Sequence, residues 1–236
     1  MTKLPASSLR APDLSGYTIA FDLDGTLVDT LADLQRALNQ VLAAEGLPAA
    51  TQAEVRAYVG QGARALIVRA FAGHGRHPDE TGLDRLTARY TETYAGDIAA
   101  LSRPFPGVPE VLDALKAAGA RLCVCTNKRD FLSVKLLETL GLAHRFAAIV
   151  GADQVSNRKP HPDHYVHAIR AAGGDPARSA MVGDSINDVM SAKAAGAPVA
   201  VYAHGYTETA PDLLGADAVF THFTDLPDLL VRLLKP

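Results

Sequence analysis

Asp22 and Asp24 stand two residues apart in the run Phe21 to Thr30, FDLDGTLVDT. Side chains at i and i+2 of a strand share a face, so both carboxylates project from one side of the strand's end. Like charges a few ångströms apart resist being ionised together. A divalent cation resolves that conflict, and hard oxygen donors suit Mg²⁺. The competing reading is that Asp-Gly only punctuates a turn. Three later stretches weigh against it. Thr126-Asn127-Lys128 offers a hydroxyl and backbone N–H groups, Arg158-Lys159-Pro160 a cation, and Gly183-Asp184-Ser185-Ile186-Asn187-Asp188 further carboxylates. Singly, each has a plainer explanation as a helix cap, a solvated lysine or a turn. Together they form an inventory for phosphoryl transfer: carboxylates for a metal, a hydroxyl beside N–H groups, and one cation.

The elements that must position these groups alternate. Tyr17 to Phe21, Leu122 to Cys125, Ala147 to Val150, Ala180 to Val182, Val199 to Tyr202 and Ala218 to Phe220 read as strands. Helical segments at 109–118, 130–140, 162–172 and 187–195 separate the later ones, and a last helix ends the chain. Such an order predicts an α/β fold, a Rossmann-like parallel sheet with helices on both faces. Ligands then gather at the C-terminal strand edge, where every stretch named above falls. Between the first strand and Pro104-Phe105-Pro106-Gly107 the pattern is helical throughout, with apolar stripes at Leu31, Leu34, Leu38 and Val41 and at Leu83, Leu86, Tyr90 and Tyr94. Thr51 to Glu54 has the form of a capping box. The expected division is a catalytic core of residues 1–30 and 103–236 and a small all-helical cap of residues 31–102, hinged near 28–30 and 103–106. Residues 1–15 read as a loose arm.

Composition narrows the partners. The formal charge is only −3 and no basic run occurs, which argues against nucleic acid. No apolar signal core opens the chain and no stretch is long enough to span a bilayer, so a cytoplasmic protein without a membrane partner is expected, as monomer or homodimer. Cys123 and Cys125, the only cysteines, alternate on one strand. Their Cβ vectors run parallel, which suits reduced, buried thiols better than a disulfide.

On DLDGT (Asp22 to Thr26), TN (Thr126, Asn127), Lys159-Pro160 and GDSxxD (Gly183 to Asp188), with the helical insertion after the first motif, the chain resembles the haloacid dehalogenase-like hydrolases, in particular the phosphoglycolate phosphatase-like group. The resemblance implies Asp22 as nucleophile, forming an aspartyl phosphate, and Asp24 as general acid and then base. It implies Mg²⁺ held by the Asp22 carboxylate, the Asp24 backbone carbonyl and Asp184. Thr126 Oγ and the Asn127 N–H would bind phosphate, Lys159 would neutralise charge, and Asp188 would support the metal waters or Lys159. A carboxylate approaching a phosphate dianion at ~4 Å faces roughly 8 kcal/mol of repulsion at an effective dielectric of ~20. Mg²⁺ and Lys159 reverse that sign. The substrate implied is a small phosphate ester, foremost 2-phosphoglycolate; sugar phosphates, pyrophosphate, nucleotides and a phosphomutase reaction stay open.

In the cap, Tyr58-Val59-Gly60-Gln61-Gly62-Ala63-Arg64 resembles the family segment that faces the active site. Gly60 would allow close backbone approach, and Arg64 would reach a substrate carboxylate or else lie exposed. The cap has no lysine between Leu31 and Ser102, which disfavours a phosphonate-cleaving relative using a Schiff base. His161, His164 and His167 raise a metal site, but a surface helix is the simpler reading, with His161 alone near the rim. The segment His204-Gly205-Tyr206 is a further candidate for lining the cleft. A receiver-type phosphoacceptor domain or a silent binding module is disfavoured by the long insertion and the complete motif set.

Overall fold

Alternation along the central strands sorts side chains to two faces, and this creates the layers. In the computed structural model, which describes residues 13–234, strand β1 (Thr18–Phe21) sends Ile19 and Phe21 into one core and Ala20 into a second. The chain continues through β2 (Val28–Asp29), helices α1 (Leu31–Ala44), α2 (Gln52–Tyr58), α3 (Gly62–Gly73) and α4 (Glu80–Gly96), and β3 (Arg103–Pro104). It then alternates: α5 (Val108–Ala117), β4 (Arg121–Cys125), α6 (Asp130–Thr139), β5 (Ala148–Val150), α7 (Pro162–Ala171), β6 (Ser179–Gly183), α8 (Ile186–Ala194), β7 (Val199–Tyr202), β8 (Ala218–Phe220) and α9 (Leu226–Leu234).

Six strands form one parallel sheet in the order β5-β4-β1-β6-β7-β8. Ile19 lies opposite Leu122 on one side and Ala180 on the other. Helices α5, α6 and α9 cover the Ile19 face, and α7 and α8 the Ala20 face, where Cys123 and Cys125 are also buried as free thiols. After β1 the chain fills the β4-β5 side, then crosses to β6 and beyond. That reversal opens a crevice at the C-terminal ends of β1, β4 and β6, the place where such sheets bind ligands.

The helical insert, α1 to α4, packs on itself through α1 against α2 and α4 and through α3 against α2 and α4. The capping box of α2 forms, with the Glu54 N–H donating to Thr51 Oγ1 at 3.3 Å and the Thr51 N–H to Glu54 Oε2 at 2.7 Å. Two features were not expected from the sequence. The connections into and out of the insert pair as an antiparallel ladder, Val28 opposite Pro104 and Asp29 opposite Arg103. Asp33, buried in the first turn of α1, accepts from the Leu101 and Ser102 N–H groups and from Ser102 Oγ, all within 2.9 Å, so both connections are fastened together. Of the loose arm expected over residues 1–15, residues 1–12 lie outside the described part. Leu14 corrects the rest: it is fully buried, and its N–H bonds to the Ala118 carbonyl at 2.7 Å.

Candidate active site

Asp22 leaves the end of β1 with its N–H bonded to the Val182 carbonyl of the neighbouring strand, and its Oδ1 accepts from the Leu23 N–H at 2.7 Å. The turn that follows needs Gly25. Its φ is +84°, and a Cβ there would meet Asp184 Oδ2 at 2.6 Å and the Tyr206 ring at 2.9 Å. Asp184, at the end of β6, accepts from Thr26 Oγ1 and from the Tyr206 N–H, each at 2.7 Å. Asp188 follows in the first turn of α8. Its Oδ2 takes the Ser185 N–H and hydroxyl, while its Oδ1 lies 2.6 Å from Lys159 Nζ. Lys159 Nζ is also 3.1 Å from Asp22 Oδ1.

These groups are buried, and the electrostatics follow. Burial drives the Asp22 carboxyl up to about 6; Lys159 pulls against that, while Asp188 and Asp24 add to it. Burial, then the charges of Asp188 and Asp22, push Asp184 up to about 8 despite its bonds from Tyr206 and Thr26. Burial alone would favour a neutral Lys159 amine, but Asp188 and Asp22 outweigh it and hold the ammonium form. Asp22, Asp184 and Asp188 present oxygens within 4.8 Å of one another. With all three ionised and Lys159 protonated, three negative charges less one positive leave an excess of two. An all-oxygen, buried donor set carrying that excess fits a hard divalent cation.

Asp24 sits at the cleft side of this cluster. Lys128 Nζ approaches both its oxygens, at 2.7 and 2.8 Å, and Thr30 Oγ1 donates to Oδ1 at 2.8 Å. Thr126 Oγ1, at the end of β4, accepts from the Lys128 N–H at 3.3 Å. The insert closes over these groups. The Gly60 carbonyl accepts from Asn127 Nδ2 at 3.0 Å and from Asn187 Nδ2 at 3.3 Å, in a backbone with φ of +102°. Between them lies a cleft of about 60 Å³, with Asp22, Asp24 and Thr126 on one wall and Gly60, Leu66 and Tyr94 on the other.

A family model, haloacid dehalogenase-like hydrolase, matches residues 19–202, most of the chain and all four motif stretches. The chain belongs to the haloacid dehalogenase-like hydrolases. Its phosphatase relatives include the phosphoglycolate phosphatase of Caulobacter vibrioides, 49% identical over 222 residues and covering 94% of both chains. The N-acetylmuramic acid 6-phosphate phosphatase of Pseudomonas aeruginosa is 36% identical, covering 92% of this chain and 95% of that one. Among solved structures, a predicted phosphoglycolate phosphatase of Haemophilus somnus superposes with a TM-score of 0.85 at 31% identity, over 92% of this chain and 98% of the other. This haloacid dehalogenase-like hydrolase is thus a phosphoric monoester hydrolase.

Within the hydrolase, Asp22, Asp24, Thr126, Asn127, Lys159, Asp184 and Asp188 meet at one sheet edge, and Gly60 faces them from the insert. Arg64 is directed away from the cleft. Its guanidinium is bound by Glu80 and Asp84, each at 2.5 Å, one turn apart on α4. Gly62 and Ala63 line the cleft, and the next helical position is rotated about 100° off that face. Of the histidines, His164 differs from expectation. Among the described residues the only side-chain cluster that could hold a metal ion is Asp22, Asp184 and Asp188, and the three histidines form none. His161 caps α7 by accepting the Asp163 N–H, and His164, expected on the surface, is fully buried. Its Nδ1 accepts the Lys159 N–H and its Nε2 faces the Val150 carbonyl, each at 3.3 Å, bracing the lysine loop. Sequence reasoning assigned no role to Lys128, Thr26 or Thr30. Lys128 and Thr26 adjoin or belong to recognised motifs, which was the available signal.

Proposed function

We propose that this chain hydrolyses 2-phosphoglycolate in a Mg²⁺-dependent reaction through an aspartyl phosphate on Asp22. The observation that carries the reading is the pairing of Asp22 with Lys159 at 3.1 Å beside Asp184 and Asp188, under a closed helical cap. Asp22, Asp184 and the Asp24 backbone carbonyl are the ligands we assign to Mg²⁺, which when bound supplies charge neutralisation and orientation of the phosphoryl group. An Asp22 carboxylate oxygen attacks phosphorus, and the bond to the ester oxygen breaks. That oxygen takes a proton from the Asp24 carboxyl. Asp24 then removes a proton from water, whose oxygen attacks the phosphoryl group, and Asp22 leaves as a free carboxylate with release of phosphate. Lys128 and Thr30 fix the Asp24 carboxyl at the cleft wall. Thr126 Oγ and the Asn127 N–H donate to phosphate oxygens, and Lys159 balances the charge gathering at Asp22. With the cap closed, water is held out during the first transfer, and opening admits it for the second. Free buried thiols at Cys123 and Cys125 fit a reducing, cytoplasmic setting.

The substrate assignment rests on the named phosphoglycolate phosphatase relatives. Steady-state kinetics with Mg²⁺ on 2-phosphoglycolate, glucose 6-phosphate, N-acetylmuramic acid 6-phosphate, pyrophosphate and AMP test it. The expected result is a kcat/KM for 2-phosphoglycolate at least about tenfold above every other substrate, lost with EDTA. A hexose phosphate or nucleotide hydrolysed equally well overturns the substrate, and full turnover in EDTA overturns the metal.

A further inference from the structure

Two groups on the cleft wall keep hydrogen-bonding capacity that phosphoryl transfer itself leaves unused. Lys128 is only 8% exposed, and its Nζ lies 4.5 Å from the centroid of the Tyr94 ring while approaching both oxygens of Asp24. An ammonium carries three N–H groups, so this contact leaves it a further donor. Tyr94 is fully buried, lines the same cleft, and its hydroxyl has no hydrogen-bond partner among the described residues. A buried hydroxyl without a partner is unfavourable unless something else completes it. Two other cations nearby are committed elsewhere. Arg64 is bound by Glu80 and Asp84, and Arg129 lies 3.5 Å from Asp153, half exposed over Phe131.

Position relative to Asp24 decides what the pair would bind. If Asp24 protonates the leaving oxygen, the carbon bearing that oxygen lies beside Asp24. A substituent on that carbon then comes within reach of an ammonium 2.7 Å from Asp24. We propose that Lys128 and the Tyr94 hydroxyl form a carboxylate subsite that selects phosphate monoesters of 2-hydroxy acids. The proposal rests on the phosphatase reading above and extends it to the residues that recognise the leaving group. The ammonium supplies charge, the hydroxyl a directed donor, and the ring of Tyr94 holds the ammonium in place. Recognition of the second anion comes from the catalytic loop after β4 and from α4, and Arg64 takes no part in it.

The test compares kcat/KM for 2-phosphoglycolate with that for ethyl phosphate, which replaces the carboxylate by a methyl group, in wild type, Lys128→Met, Lys128→Arg and Tyr94→Phe. Because Lys128 also holds Asp24, activity on both substrates is expected to fall in Lys128→Met. The decisive quantity is their ratio. It should drop by about tenfold or more in Lys128→Met, by a smaller factor in Tyr94→Phe through KM, and recover in part in Lys128→Arg, as for a lost charge-assisted hydrogen bond. A wild-type ratio near one overturns the substrate reading and the subsite with it. A high wild-type ratio kept by both Lys128→Met and Tyr94→Phe overturns the subsite alone. Thermal unfolding of Tyr94→Phe, which keeps the ring and loses one oxygen, separates a binding effect from misfolding.

Discussion

Lys159 answers to two carboxylates at once, 2.6 Å from Asp188 and 3.1 Å from Asp22, with almost no solvent contact. Removing one partner of a buried ion pair leaves uncompensated charge, typically worth about 3–5 kcal/mol. Lys159→Met should therefore lose roughly that much unfolding free energy in EDTA and regain part of it with Mg²⁺, measured by urea denaturation. A variant as stable as wild type in EDTA would deny that the acidic cluster depends on the lysine. His164 makes a second prediction. Burial, and then the charge of Lys159, lower its imidazole from 6.5 to about 4. The unfolded chain binds the proton first, so stability from a neutral His164 is complete above pH 6.5 and declines as pH falls toward 4. The slope is at most about 1.4 kcal/mol per pH unit. His164→Asn should flatten the pH dependence of unfolding free energy across that window; an unchanged slope would remove His164 from the account.

At the scale of elements, α2 and the segment after β7 are joined where the site is assembled. Arg56 Nη1 donates to the Gly205 carbonyl at 2.6 Å, and its guanidinium lies 5.2 Å from the Tyr206 ring centroid. Tyr206 in turn gives its N–H to Asp184, and its hydroxyl accepts the Thr30 and Leu31 N–H groups at the start of α1 while donating to Asp29. One short segment thus touches the helical insert, the connection leading into it and the Asp184 carboxylate. Arg56→Ala should raise KM and lower kcat by several-fold together, as hinge and closure changes do, while unfolding free energy stays within about 1 kcal/mol of wild type. Kinetics identical to wild type would detach α2 from closure. Strands β2 and β3 at this connection were invisible in the sequence because two residues carry no periodic signal. Tyr206 could be suspected only from its place after a strand, since nothing local points its hydroxyl back to residue 30.

Across the whole molecule, the sheet and the carboxylate cluster were legible because each is written in short-range pattern: apolar strands ending in Asp22, Thr126 and Asp184, with helical crossovers between. The orientation of long side chains was not. Lys128 and Arg129 are neighbours in sequence, yet one is buried against Asp24 and the other lies half exposed beside Asp153. Arg64 looked suited to the cleft until the acids of α4 supplied a nearer partner. His164 read as surface because its helix starts at an exposed cap, while its own position faces the buried side with Tyr165 and Ala168.

The account stands on Asp22 as the atom donor to phosphorus, and kcat of Asp22→Asn tests that most directly. The amide keeps the size and shape of the side chain and removes its nucleophilic oxygen. A loss of about four decades or more with Mg²⁺ and saturating 2-phosphoglycolate is predicted; turnover within tenfold of wild type would contradict it.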